Sequence, residues 1–298
     1  TLKKDGNPYT VFTPFYKNSL KIAVDPPQHH KFTHFQSNRI DFENEYRDLA
    51  FQEIAARILP EKSRNKKLIH QGGRTNALKI LSEIEKFAEY KIHHDIPAIH
   101  GTSRLAPHLK FGTCSIRETY HAIRESLGVD HPIMRQLYWR DFFTQIGYHF
   151  PRVFGNTFVQ KYNQLKWNEN AEAFLAWCSG KTGFPIVDAG IRELNTTGFM
   201  HNRVRMIVAS FLTKDLHIDW RKGEKYFAQK LTDYDPAVNN GNWQWAASTG
   251  CDATPYFRIF NPWIQQQKFD PDCLYIKNWI PELNSIPARI IHNLYKKF

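Results

Sequence analysis

The chain has 298 residues, 42% of them hydrophobic, with a formal charge of +11 and a pI near 9.4. That fraction can bury a substantial core, in one large domain or two ordinary ones. No apolar run approaches membrane-spanning length and the N-terminus is polar, so no membrane span or secretory signal is expected. The positive charge favours a polyanionic partner such as DNA, because each Lys or Arg beside a phosphate releases counterions; a basic protein with no such partner is the alternative. Cys114, Cys178, Cys251 and Cys273 form no CxxC and read as reduced thiols of an intracellular protein, cytoplasmic or nuclear, with an organelle left open.

Residues 1–40 are rich in Pro, Asn and His and read as an extended lead-in, with a helical domain over 41–298. Phe42, Leu49, Ile54 and Ile58 give helical spacing between Asp41 and Leu59, followed by a charged loop over 61–67. Gly72–Gly73 opens a second helix, with Leu78, Leu81, Ile84 and Phe87 on one side, ending near Tyr90. HGTSRLAPHL is a glycine turn whose backbone N–H groups and Thr102 and Ser103 hydroxyls suit a diphosphate; a plain turn is the alternative. Ser115 and Glu118 form a capping box, Gly128 closes that helix, and the next runs over 132–149. Gln136 and Trp139 lie one turn apart on it. Trp167 sits in a loop before a helix capped by Asn168 or Asn170. Phe184–Pro185 starts another helix and Gly198 ends it. The helix over 200–214 buries Val204, Ile207, Val208, Phe211 and Leu212, with His201, Asn202, Arg203 and Arg205 at its anion-attracting start. The adjacent pairs His29–His30 and His93–His94 are not read as metal ligands, since neighbours on a helix or strand face different ways.

The densest stretch is DYDPAVNNGNWQWAASTGCDATPYFRIFNPW, residues 233–263. Asp235 followed by Pro236 reads as an N-cap and a first helical position. Asn239, Trp243 and Ala247 then share one face, and Trp245 points elsewhere. Such a helix could hold a flat polar ring at one end and pass an electron at the other; core packing of the tryptophans is the alternative.

The runs NNGNWQWAASTGCDATPYFRIFNP and GKTGFPIVDAGIRELNTTGFMHNRVRMIVASFL, with GTSRL at 101–105 and GNPYTVFTPF at 6–15, closely resemble the photolyase/cryptochrome family, nearest its cyclobutane-dimer branch. The resemblance covers essentially the whole chain. It implies an all-α, multi-helix FAD-binding domain with long loops, and an N-terminal α/β domain that precedes this segment in the family. That domain is read as missing, carried by a separate chain or another segment, so no antenna chromophore is expected. The flavin contacts implied are Tyr90, Thr102, Ser103, Arg104, Leu105, Ala106, Gln136, Arg140, Asn202, Arg205, Asp233, Asp235 and Asn239. Asn239 matches the residue facing flavin N5, and Arg205 is expected to pair with Asp233. The substrate side implied is Gln136, Trp139, Asn202, Arg203, Met206 and Trp245. Trp139 and Trp245 would sandwich a flipped pyrimidine dimer, Arg203 would hold a flanking phosphate, and Met206 would touch the lesion. Trp243, Trp220 and Trp167 match the electron relay from flavin to surface.

The implied activity is light-driven repair of cyclobutane pyrimidine dimers in damaged DNA, with reduced FAD as the electron source. A cryptochrome-like blue-light receptor and a (6-4) photolyase with the same flavin site are the alternatives. Gln136 departs from the glutamate usual in dimer-repairing members, Ala106 from a serine, and Ile133 from an aromatic residue. MHNRVRM lacks the paired histidines that (6-4) enzymes place there.

Overall fold

Helix starts in this chain are written by short polar side chains and prolines, and the structure uses them. It is a computed structural model that describes residues 1–28, Glu53, Arg57 and 67–296. Apart from Glu53 and Arg57, which are helical, the expected helix over Asp41–Leu59 lies outside the described residues, as do most of the charged loop after it and the pair His29–His30. Among the described residues there is no strand, only an isolated bridge between Leu2 and Pro8.

The first helices are α1 (Phe12–Ser19), α2 (Arg74–Ser82) and the single turn α3 (Tyr90–His93). They are followed by α4 (Ala106–Phe111), α5 (Ile116–Leu127) and α6 (Pro132–His149). The Ser115 hydroxyl accepts from the Glu118 N–H while the Glu118 carboxylate accepts from the Ser115 N–H, closing the capping box at the start of α5. The second half holds α7 (Ala171–Ser179), α8 (Pro185–Thr197), α9 (Asn202–Ser210) and α10 (Trp220–Lys230). Then come α11 (Pro236–Ala247), α12 (Pro262–Phe269), α13 (Leu274–Trp279) and α14 (Ala288–Ile291). Asn170 caps α7, and Asp235 caps α11 through the N–H groups of Ala237 and Val238.

Two departures have simple causes. Residues 11–20 are not extended: Phe12, Phe15 and Tyr16 share one face at i, i+3, i+4 spacing, and burying that face against α6 forms α1. The Pro14 ring sits in the first turn, where its missing N–H has no partner to lose. The helix expected over 200–214 is α-helical only over Asn202–Ser210 and widens into a π turn at Phe211–Asp215.

Buried side chains form two clusters. One gathers α7 to α11, α13 and α14 around Trp177, Ile207, Trp220 and Trp243. The other gathers α1, α2, α5 and α6 around Phe12, Met134 and Phe142. Helix α11 belongs to both, since Val238 packs on the second cluster while Trp243, Ala246 and Ala247 lie in the first. Its closest neighbour is α10, where Gly223 leaves room for the Trp243 ring. A methyl at 223 would fall inside that indole, so Gly223→Ala should destabilise the fold by about 2–3 kcal/mol through overpacking. A urea midpoint equal to wild type would show that the two helices can part freely.

His201 caps α9 with Nδ1, 3.3 Å from the Arg203 N–H, and is 3% exposed. Burial, reinforced by Arg104, Arg205 and Arg203 and opposed by Asp95, pushes its pKa down to about 4. Burial does the same to His70, also to about 4. Both rings stay neutral in the folded chain over a range where the unfolded chain takes up protons. Stability should therefore be full above about pH 6.5 and fall as pH drops towards about 4. His201→Asn, which keeps a capping oxygen, should flatten this slope in urea titrations, and an unchanged slope would remove His201 as its source.

Candidate functional site

The expected site residues divide between the two clusters: Tyr90, Leu105 and Trp139 belong to or pack on the second, and Trp167, Trp220, Trp243 and Trp245 on the first. The turn at Gly101 runs tight against the backbone of His93, where a Cβ would collide with its carbonyl. Arg104 then turns left-handed at φ +53°. Among the described residues the N–H groups of Thr102, Ser103, Arg104 and Leu105 find no acceptor, and neither do the Thr102 and Ser103 hydroxyls. Arg104 Nε is buried without a partner. Open donors of this kind fit a diphosphate, which could accept from several at once. Ala106 is exposed and adds no side-chain donor, while Leu105 is buried and anchors the turn. Tyr90 is buried at one end of the same segment, with His94 stacked on its ring at 4.9 Å.

Arg205 shares the Phe199 ring with Arg104, at 5.6 and 5.1 Å, and forms a two-pronged ion pair with Asp233 at 3.1 and 2.8 Å, as expected. Asn239 donates its amide N–H to the carbonyl of Glu224 at 3.1 Å. A carbonyl can only accept, so this bond fixes the amide orientation and leaves the Asn239 oxygen unpaired among the described residues. Asp235 caps α11 with one oxygen, and its other lies 3.9 Å from Lys110 on α4. The residues therefore offer open donors for a diphosphate, a fixed neutral amide and a paired Arg–Asp edge, which suits the cofactor that the sequence implies.

The substrate side is less uniform. Gln136 and Asn202 are exposed; Asn202 lies 3.9 Å from the Met206 sulfur. Arg140 is half-buried, with Asp141 3.5 Å away. Trp139 is half-buried and lies face to face on Phe12, with centroids 3.5 Å apart and planes 4° from parallel. Trp245 is half-buried, with Phe260 stacked at 6.2 Å. Arg203 requires a correction. Its guanidinium is tied to Asp95 at 3.0 and 2.5 Å and lies over the Phe269 ring, so it pins α9 to the segment after α3 and is not free for a flanking phosphate.

The three relay candidates differ in depth. Trp243 and Trp220 are buried, at 2% and 0% exposure, whereas Trp167 is half-buried beside His217. Sequence reading passed over Trp177, which is fully buried, 6.2 Å from Trp243 and bonded through Nε1 to the Val208 carbonyl. It also passed over Asp95 and over Glu193, whose buried carboxylate takes the Tyr275 hydroxyl at 2.6 Å and the His201 N–H at 3.1 Å. Burial pushes the Glu193 pKa up, against these bonds. A separate cleft of about 520 Å³ opens beside Arg104, between Glu193, Tyr275 and Trp279; of the expected contacts only Arg104 lines it.

Comparison with known proteins gives the family of the fold. The family described as the FAD binding domain of DNA photolyase matches residues 133–297. The deoxyribodipyrimidine photo-lyase of Alkalihalophilus pseudofirmus is 41% identical over 99% of this chain and 62% of its own length. That of Escherichia coli is 47% identical over 70% of this chain and 46% of its own length. The crystal structure of a class III photolyase from Agrobacterium tumefaciens covers 99% of this chain and 62% of its own, at 36% identity and a TM-score of 0.87. An archaeal photolyase from Sulfolobus tokodaii, solved with two FAD molecules, covers 99% of this chain and 64% of its own, at 41% identity and a TM-score of 0.81. The chain thus spans under two thirds of the length of these relatives. The match over more than half of its residues, in helices of the same arrangement, means that the chain belongs to the DNA photolyase family and carries that family's FAD-binding helical domain.

Proposed function

We propose that this chain is the cofactor- and substrate-binding part of a photolyase that splits cyclobutane pyrimidine dimers in DNA with light. The observation that carries the reading is the turn at 102–105 with its open donors, where Arg104 shares the Phe199 ring with Arg205, the partner of Asp233. Bound FAD in its reduced form would supply the electron that opens the cyclobutane ring and would take it back afterwards.

The chain's own tasks are binding, orientation and exclusion of water. Thr102, Ser103 and the backbone around them hold the diphosphate. Arg205, fixed by Asp233, presents a rigid cationic edge, and Asn239 presents a neutral oxygen that carries no proton to lose. Trp139 and Trp245 stack on the everted dimer, whose poor pairing lowers the cost of leaving the duplex. Gln136, exposed near Trp139, offers both a donor and an acceptor to a base edge. The charge of +11 draws the chain to DNA regardless of sequence.

A blue-light receptor with the same cofactor is the second reading, favoured by Gln136 in place of a carboxyl. A repair assay under blue light separates the two, because a receptor would leave the dimers intact. Trp139→Ala should weaken binding to a dimer-containing duplex by roughly tenfold or more, from lost base stacking, and leave undamaged DNA nearly unaffected. Equal losses on both duplexes would remove the stacking role. Trp167→Phe should slow light-driven reduction of the bound flavin while sparing repair by chemically reduced protein; a joint loss would break the relay assignment.

A further inference from the structure

The loop that follows α11 crosses from one buried cluster to the other. At its start Ser248 turns left-handed at φ +63°, and its hydroxyl accepts from Lys214 Nζ at 2.6 Å. Lys214 also reaches the carbonyl of Tyr256 at 3.2 Å, so it ties the start of the loop to its middle. Between them, Cys251 is buried in the cluster that contains Phe12 and borders Trp139. The next residue, Asp252, is left-handed at φ +48° and accepts the Phe12 N–H on its Oδ2 at 3.0 Å.

That N–H needs a partner from outside its own segment. Phe12 is the first residue of α1, and the opening N–H groups of a helix have no acceptor within it. The N-cap is Val11, whose side chain has no oxygen to offer. The Asp252 carboxylate takes that place and fixes the backbone from which the fully buried Phe12 ring projects.

The ring in turn lies flat on Trp139, centroids 3.5 Å apart. Aromatic pairs left to themselves favour offset or edgewise contact at about 4.5–7 Å, so a close parallel stack has to be imposed by its surroundings. Phe142 and Phe143 also touch Trp139, but they share its helix and move with it. Phe12 is the ring that ties the indole to a different element.

We infer that Asp252 is a positioning residue for Trp139, acting through the backbone and ring of Phe12. The loop leaving Trp245 thereby sets where the opposing indole stands. This deepens the repair reading, since it takes Trp139 as the surface on which the dimer stacks.

The test uses the full chain loaded with FAD, with a duplex carrying one thymine cyclobutane dimer and the same duplex undamaged. Asp252→Ala should lower the preference for the dimer by roughly fivefold, a part of the stacking contribution. Asp252→Asn keeps an oxygen for the Phe12 N–H and should retain the preference. In a Trp139→Ala background, Asp252→Ala should add nothing. The same loss in that background would mean that the loop acts on DNA directly, and equal losses for Ala and Asn would mean that charge matters and the backbone bond does not; either overturns the inference. A wild-type chain with no preference for the dimer would sink the repair reading instead. The linkage is then read from near-ultraviolet circular dichroism, where Asp252→Ala should alter the aromatic signal and Asp252→Asn should not; an unchanged signal overturns it.

Discussion

Helix α11 is buried on almost every side, and the arrangement of the site follows from how it manages that. A helix in such a position must satisfy every polar side chain it carries. The Asn240 and Gln244 amides lie one turn apart and are each 2% exposed. Both donate to the Val153 carbonyl, Gln244 donates to Asn240, and the Phe158 N–H donates to Gln244 at 2.7 Å. Those bonds lock the side of α11 that faces residues 153–158. Trp243 lies against Gly223 on another side, and the Glu224 carbonyl holds Asn239. With rotation and height both fixed, the second Asp235 oxygen lies 3.9 Å from Lys110 and the Asn239 oxygen is left without a partner among the described residues.

Ion pairs lace the site, two of them (Arg203–Asp95 and Lys110–Asp235) between segments that carry different clusters and one (Arg205–Asp233) between segments of the first. The Asp233 side chain is 6% exposed and that of Arg203 17%, so these charges have left much of their water. Pairs of this kind add little net stability, because desolvation offsets much of the attraction, but breaking one partner is costly. Their effect here is orientation. Tying Arg203 and Arg205 to internal carboxylates fixes where each guanidinium points.

Local chemistry was legible in the sequence. Ser115 with Glu118, Asn170, and Asp235 with Pro236 each mark a helix start through bonds made within a few residues. The pairing of Arg205 with Asp233 followed from the family resemblance. What the sequence hid is long-range. Nothing near Phe12 announces that an aspartate 240 residues away caps its helix, or that its ring meets Trp139. Arg203 looked free because Asp95 stands 108 residues before it. Leu78 has the spacing of a core residue yet is 41% exposed, since α2 is nine residues long and buries a narrow stripe. Asn240 and Gln244 read as ordinary polar residues, because burial of an amide depends on carbonyls that only the fold brings near.

Depth also bears on the proposed relay. An electron drawn inward from an indole leaves positive charge behind, and burying unpaired charge is costly. Trp243 and Trp220 lie in the core, and the Arg221 guanidinium sits 5.0 Å over the Trp220 ring, where it opposes positive charge on that indole. Asp219, 3.1 Å from Arg221, offsets part of that opposition. Trp167 is half-buried and neighbours His217, so solvent can stabilise a charge there. The gradient runs outward: the buried indoles would serve as transit points, and the half-exposed one as the place where charge comes to rest. Direction in such a relay needs no difference in the chemistry of its three identical side chains, because their unequal access to water supplies it.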